Sequence, residues 1–184
     1  SFEIYCFAFI LDCNFCWKIF VSLILFCLSS FFLLCSSKIF FSLSSIDLTH
    51  FQTNNVVNMS NMFSYSKALT SLNIANFKTE LVLDMSSMFQ YCTKITSLDI
   101  SSFDTRKVKY MQFMFAYSSN MKFVEFKFDT SEVEDMSSMF QNCGMISSLD
   151  LSSFNTKKVK DMNSMFEHTT NLKILDISKF DTSQ

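Results

Sequence analysis

Apolar and polar positions along the chain fall into a pattern that returns at a spacing of 26 residues, with one step of 25. Its clearest copy holds Ile95, Leu98, Ile100, Phe103 and Thr105, then Val108, Met111, Met114 and Phe115. One copy upstream holds Leu69, Leu72, Ile74, Phe77 and Thr79, then Val82, Met85, Met88 and Phe89. The copy before that ends in Val56, Met59, Met62 and Phe63. Downstream lie Ile146, Leu149, Leu151, Phe154 and Thr156, then Val159, Met162, Met165 and Phe166. A period of roughly 20 to 50 residues marks a stacked array, in which one unit cannot bury its apolar face alone and must lie on its neighbours.

Inside each unit the spacing changes. Leu72 and Ile74, Leu98 and Ile100, Val124 and Phe126, Leu149 and Leu151, and Leu175 and Ile177 alternate with polar residues. Period two predicts a short strand with one buried face, repeated from unit to unit as a parallel sheet. Beyond Phe103 and Thr105 the spacing becomes three, three and one through Val108, Met111, Met114 and Phe115, which predicts a short helix or 3-10 turn returning along the other side. The expected fold class is an α/β repeat solenoid, leucine-rich-repeat-like in its stacked 25–26-residue coils, about five and a half of them over residues 43–184. Phe77, Phe103 and Phe154, Met85, Met111, Met136 and Met162, and Phe89, Phe115, Phe140 and Phe166 are its expected core.

Two details of the repeat leave geometry to be decided. A threonine precedes every return segment, at Thr53, Thr79, Thr105, Thr130, Thr156 and Thr182. Its hydroxyl either caps a helix or forms an inward ladder that satisfies backbone at the bend. One unit is a residue short between Val124 and Phe128, and a loop or bulge is expected to absorb the loss.

Residues 1–42 follow a different rule. No charge occurs from Ile19 to Ser37, and the flanking residues are Lys18 and Lys38. As a helix at about 1.5 Å per residue this stretch spans roughly a bilayer core, so residues 19–37 read as a membrane contact. A signal anchor, a cleaved signal sequence, and a misjudged gene start or buried soluble cap remain alternatives. The Cys13–Cys16 pair has no second pair or nearby histidine to complete a metal or redox motif. The chain opens without a methionine and stops at Gln184, shortly after a further Phe180-Asp-Thr182. That pattern suggests a fragment of a longer protein, or an end that associates end to end with another copy.

Composition narrows the function. After Ser45 there are 13 basic and 15 acidic residues, an even balance that recruits neither nucleic acid nor an anionic membrane. There is no proline and one glycine, Gly144, so turns fall to Ser, Asn, Asp and Thr. Of seven cysteines only Cys92 and Cys143 lie in the repeats, two coils apart and so beyond disulfide reach, and they read as small buried side chains.

The line Ser97-Leu-Asp-Ile-Ser-Ser-Phe-Asp-Thr105, followed by Val-x-x-Met-x-x-Met-Phe, resembles the BspA-type leucine-rich-repeat surface proteins, including the domain of unknown function that recurs in mycoplasmal lipoproteins. Asp135-Met-Ser-Ser-Met-Phe140 and Ser148-Leu-Asp-Leu-Ser-Ser-Phe154 carry the same resemblance, which extends from Leu43 to Gln184. It implies a leucine-rich-repeat-like solenoid at a cell surface, used for adhesion or protein binding, without catalysis.

Candidate chemistry lies on the strand face. The outward residues between the paired inward ones are Asp47, Asn73, Asp99, Glu125, Asp150 and Asp176. This acidic row suits a basic partner or a hard cation such as calcium; alternatively it is a solvated row bonded to nearby serines or backbone. Lys107 over Glu132 over Lys158, and Lys109 over Glu134 over Lys160, read as a registry ladder rather than a phosphate site. His50 and His168 fall in different units, and no nucleophile elbow, phosphate loop or metalloprotease motif is present. The resulting expectation is a non-enzymatic, cofactor-free surface protein that binds a protein or cell-surface ligand; the alternative is a structural spacer within a longer surface protein.

Overall fold

The computed structural model describes residues 43–46, 48, 51–125 and 127–183, with Glu125 described by its backbone alone. The apolar segment 1–42, including 19–37 and the Cys13–Cys16 pair, lies outside the described residues, as do Asp47, His50 and Phe126. All described residues fall within one compact unit, Leu33–Gln184.

Four short strands are found among them: β1 Ser97–Asp99, β2 Phe123–Glu125, β3 Ser148–Asp150 and β4 Ile174–Asp176. Their central residues face the core because period-two alternation leaves one apolar side chain between two outward ones. Leu98 and Leu149 are buried, whereas their neighbours are exposed. β1 pairs in parallel with β2, with Leu98 opposite Val124, and β3 pairs likewise with β4, with Leu149 opposite Leu175. The two pairs form separate sheets. The break between β2 and β3 lies beside the missing residue. A second parallel ladder of single bridges runs Asn58, Asp84, Tyr110, Asp135, Asp161 and crosses the short unit without a gap.

Between the two ladders, equivalent aromatic rings stack. Phe63, Phe89, Phe115, Phe140 and Phe166 form one column with successive centroids 5.6, 5.7, 5.3 and 6.1 Å apart. Phe51–Phe77 and Phe128–Phe154–Phe180 belong to a second column, at 5.8, 6.4 and 6.5 Å. Each such pair contributes about 0.5–1.5 kcal/mol beyond its buried area. Phe77, Phe103, Met85, Met111 and Met136 are buried, while Met162 and Phe166 are half-buried, in the last described return segment.

The threonines form the inward ladder. Thr79 Oγ1 donates to the Asp104 carbonyl at 3.1 Å and accepts from the Asp104 amide at 2.8 Å. Thr53, Thr130 and Thr156 repeat both bonds with Lys78, Asn155 and Asp181. Thr105 donates to the Asp129 carbonyl at 2.8 Å. With the hydroxyls sealed in the core, each one ties its coil to the next.

Where a short helix or 3-10 turn was expected, the described residues form a ladder of turns. Amides alternate in direction: Met85, Ser87, Phe89 and Tyr91 donate to carbonyls of the next coil, at Tyr110, Gln112, Met114 and Ala116. Between them Met88, Gln90 and Cys92 donate three residues back within their own coil. Turns closing on the residue three before share the i, i+3 inward spacing of a helix, so the methionine pattern does not separate the two geometries. Alternation requires left-handed backbone at two positions per coil, as at Ser87 (φ 56°) and Tyr91 (φ 58°). Such backbone costs a non-glycine residue roughly 1 kcal/mol, offset here by the bond each neighbouring amide makes to the next coil.

Candidate functional site

Turns at the end of each strand set the acidic row. In β1 the chain alternates up to Asp99 and then bends, and the Asp99 carboxylate accepts from the Ser101 amide at 3.0 Å and the Ser101 hydroxyl at 2.7 Å. Asp150 and Asp176 accept the Ser152 and Ser178 amides in the same way, at 3.0 and 2.9 Å, and Asn73 accepts the Ala75 amide at 3.3 Å. These are turns in which a short acidic or amide side chain holds the amide two residues on. Two further series repeat the device along the chain, for example Asp104 to the Arg106 amide and Asp84 to the Ser86 amide. Turns of this kind let the chain bend without proline and almost without glycine.

Asp99, Asp150 and Asp176 are exposed on the strand face. Hydrogen bonds from Ser101 hold the Asp99 carboxyl below the usual carboxylate range, the amide contributing most. Ser152 and Ser178 act likewise on Asp150 and Asp176, chiefly through their hydroxyls. Repulsion between neighbouring carboxylates pushes the other way, since Asp176 raises Asp150, but less than Ser152 lowers it. Asp99 and Asp150 thus share the face with Asp176 while each bonds within its own coil. Among the described residues no three His, Cys, Asp or Glu side chains converge to hold a metal ion.

Beside this row the strands carry a second outward column, Ser97, Phe123, Ser148 and Ile174, that the acidic pattern obscured. Phe123 is 56% exposed and Ile174 67%, the most exposed large apolar side chains among the described residues. Their signal in sequence is a bulky residue where the other coils have serine, directly before the inward Leu or Val. A third column, Thr96, Lys122, Ser147 and Lys173, precedes it and is also exposed.

Other candidates sit elsewhere on the coils. Glu134 pairs with Lys160 at 2.7 Å and Lys109 at 3.7 Å, and Glu132 pairs with Lys158 at 2.6 Å. Cys92 and Cys143 are buried free thiols whose sulfurs donate to the Phe63 and Phe115 carbonyls, and burial pushes both pKa values up to about 12. His168 is exposed in a left-handed turn. Tyr65, Tyr91 and Tyr117 stack at 4.5 Å, with the Lys67 ammonium near the first two rings. That column was readable from the tyrosine two residues after Phe63, Phe89 and Phe115. Among the described residues no helix is long and apolar enough to cross a membrane.

No curated protein and no solved structure is matched by this chain. The profile of a family described as Mycoplasma protein of unknown function, DUF285, matches residues 35–144 and again 117–184. The two matches run from the end of the apolar segment through every repeat, and the chain belongs to the DUF285 family.

Proposed function

We propose that this chain is a non-catalytic binding module of the BspA-type leucine-rich-repeat kind, a stacked solenoid at a cell surface that engages a protein or cell-surface ligand through its strand face. In this reading residues 19–37 hold it at the membrane or export it. The observation that carries the reading is a contrast between faces. Threonine hydroxyls, Lys–Glu pairs and return-segment amides all tie coil to coil. Asp99, Asp150 and Asp176, by contrast, are exposed and bond within their own coils, and Phe123 and Ile174 stand open beside them. Exposed apolar anchors rimmed by charge are a surface feature associated with partners.

A spacer role draws on a different observation, that each of those carboxylates already serves its own turn. Beads coated with the full chain and applied to a monolayer of cultured animal cells separate the two readings. A binding module attaches well above albumin-coated beads, and D99K/D150K abolishes the excess. Attachment no better than albumin, or unchanged in D99K/D150K, favours the spacer.

A further inference from the structure

Two outward columns run up the strand face, and a third, also exposed, is carried by the residue that enters each strand. Coil by coil the columns read Thr96, Ser97, Asp99; then Lys122, Phe123, Glu125; then Ser147, Ser148, Asp150; then Lys173, Ile174, Asp176. Ser97 and Ser148 occupy the central column without disturbing strand pairing, so folding does not require the bulky Phe123 and Ile174. Neither Lys122 nor Lys173 enters an ion pair among the described residues. Into and along β4 the exposed residues therefore run basic, apolar, acidic.

This order constrains the partner. A uniformly basic partner meets Lys122 and Lys173, and a uniformly acidic one meets the carboxylates. The fitting surface carries an apolar stripe with acid on one side and base on the other, in reversed order. The face itself meets that description when a second copy is turned over about a two-fold axis parallel to the stacking direction. Such an axis keeps each coil opposite its own equivalent and exchanges left for right. Ile174 then meets Ile174 of the second copy, Phe123 meets Phe123, and Lys173 meets Asp176 twice over, as an isologous contact requires.

Building on the reading of the strand face as the recognition surface, we propose that its partner is the same face of a second copy of this chain, with Phe123 and Ile174 at the centre and reciprocal Lys173–Asp176 pairs beside them. The apolar pair supplies the anchor and the charges fix the register, since like charges set face to face reject a wrong alignment. The contact is homotypic and leaves the two stacks running in the same direction.

Charge exchange tests the geometry directly. Full-length chains bearing two different affinity tags are mixed, and recovery of one tag through the other is measured. Wild type co-purifies. K173E sets a second carboxylate against Asp176, and D176K sets a second ammonium against Lys173, so each variant alone loses self-recovery by at least about tenfold. Mixing K173E with D176K restores recovery, because only the mixed pair sets opposite charges together at both of its contacts: at one the new acid faces the new base, and at the other the native Lys173 faces the native Asp176. F123S and I174S, which install the serine that the same column carries in other coils, keep the wild-type melting midpoint and also lose recovery. Absence of wild-type pairing, K173E or D176K pairing as strongly as wild type, failure of the mixture to pair, or undiminished pairing in F123S/I174S each overturns the proposal. Tagged chains that pair while beads do not attach to cells make a second copy the ligand of the face; beads that attach while the chains do not pair overturn the homotypic partner and leave the recognition face standing; failure of both removes the face itself.

Discussion

At the scale of single residues, buried threonine does what a helix cap would do elsewhere. Thr105 is sealed from solvent, and its hydroxyl is a donor for the Asp129 carbonyl. Replacing it with valine keeps the shape and removes the donor, leaving a part-buried acceptor without that bond. T105V is expected to lose about 1–3 kcal/mol in urea unfolding. T105S keeps the hydroxyl and is expected to lose less; equal losses would count against the ladder. The repeat pattern showed that a threonine was required at this place in every coil, but not whether its hydroxyl faced along the chain or across the coils. Both choices place the same residue at the same bend, and spacing carries no information about direction.

At the scale of elements, the carboxylate turns make the coils sensitive to acid. Asp99, Asp129, Asp150, Asp176 and Asp181 are all held below the usual carboxylate range by bonds from the residue two positions on. A carboxyl whose folded pKa is depressed stabilises the fold above its unfolded pKa, and that contribution disappears as pH falls through the folded value. The urea midpoint is therefore expected to be flat above about pH 5 and to fall toward pH 2. Asparagine fills the same turn at Asn155, where it holds the Lys157 amide at 3.1 Å. D99N/D150N/D176N is accordingly expected to fold with a shallower acid limb, and an unchanged limb would show that these turns do not set it. The strands were legible because alternation at Ser97–Asp99 and Ser148–Asp150 permits one buried residue. The return segments were legible only in which side chains face inward: Met111, Met114 and Phe115 are buried, yet the amides between them alternate in direction. The column containing Phe123 and Ile174 was masked by the charge that follows each of them two residues later.

For the molecule as a whole, stability is distributed by adjacency. In a stack each coil gains from the coil on either side, so an interior residue serves two interfaces and an outer one serves fewer. Phe115 lies between Phe89 and Phe140, fully buried, whereas Phe180 stacks on Phe154 and is only half-buried. F115A is expected to cost about 3–5 kcal/mol and to lower the single unfolding transition, while F180A costs distinctly less. Chemical denaturation followed by circular dichroism checks both, and equal losses would contradict additive nearest-neighbour coupling.

The way the chain bends also reaches back to its gene. Corners held by aspartate, asparagine, serine and threonine dispense with glycine and proline, whose codons all begin with paired G or C, and of which the chain has one and none. Phenylalanine, isoleucine, lysine and asparagine, which fill the core, the ladders and the corners, are spelled by triplets that can be written entirely in A and T. A coding sequence poor in G and C can therefore specify this architecture with no compromise at its bends.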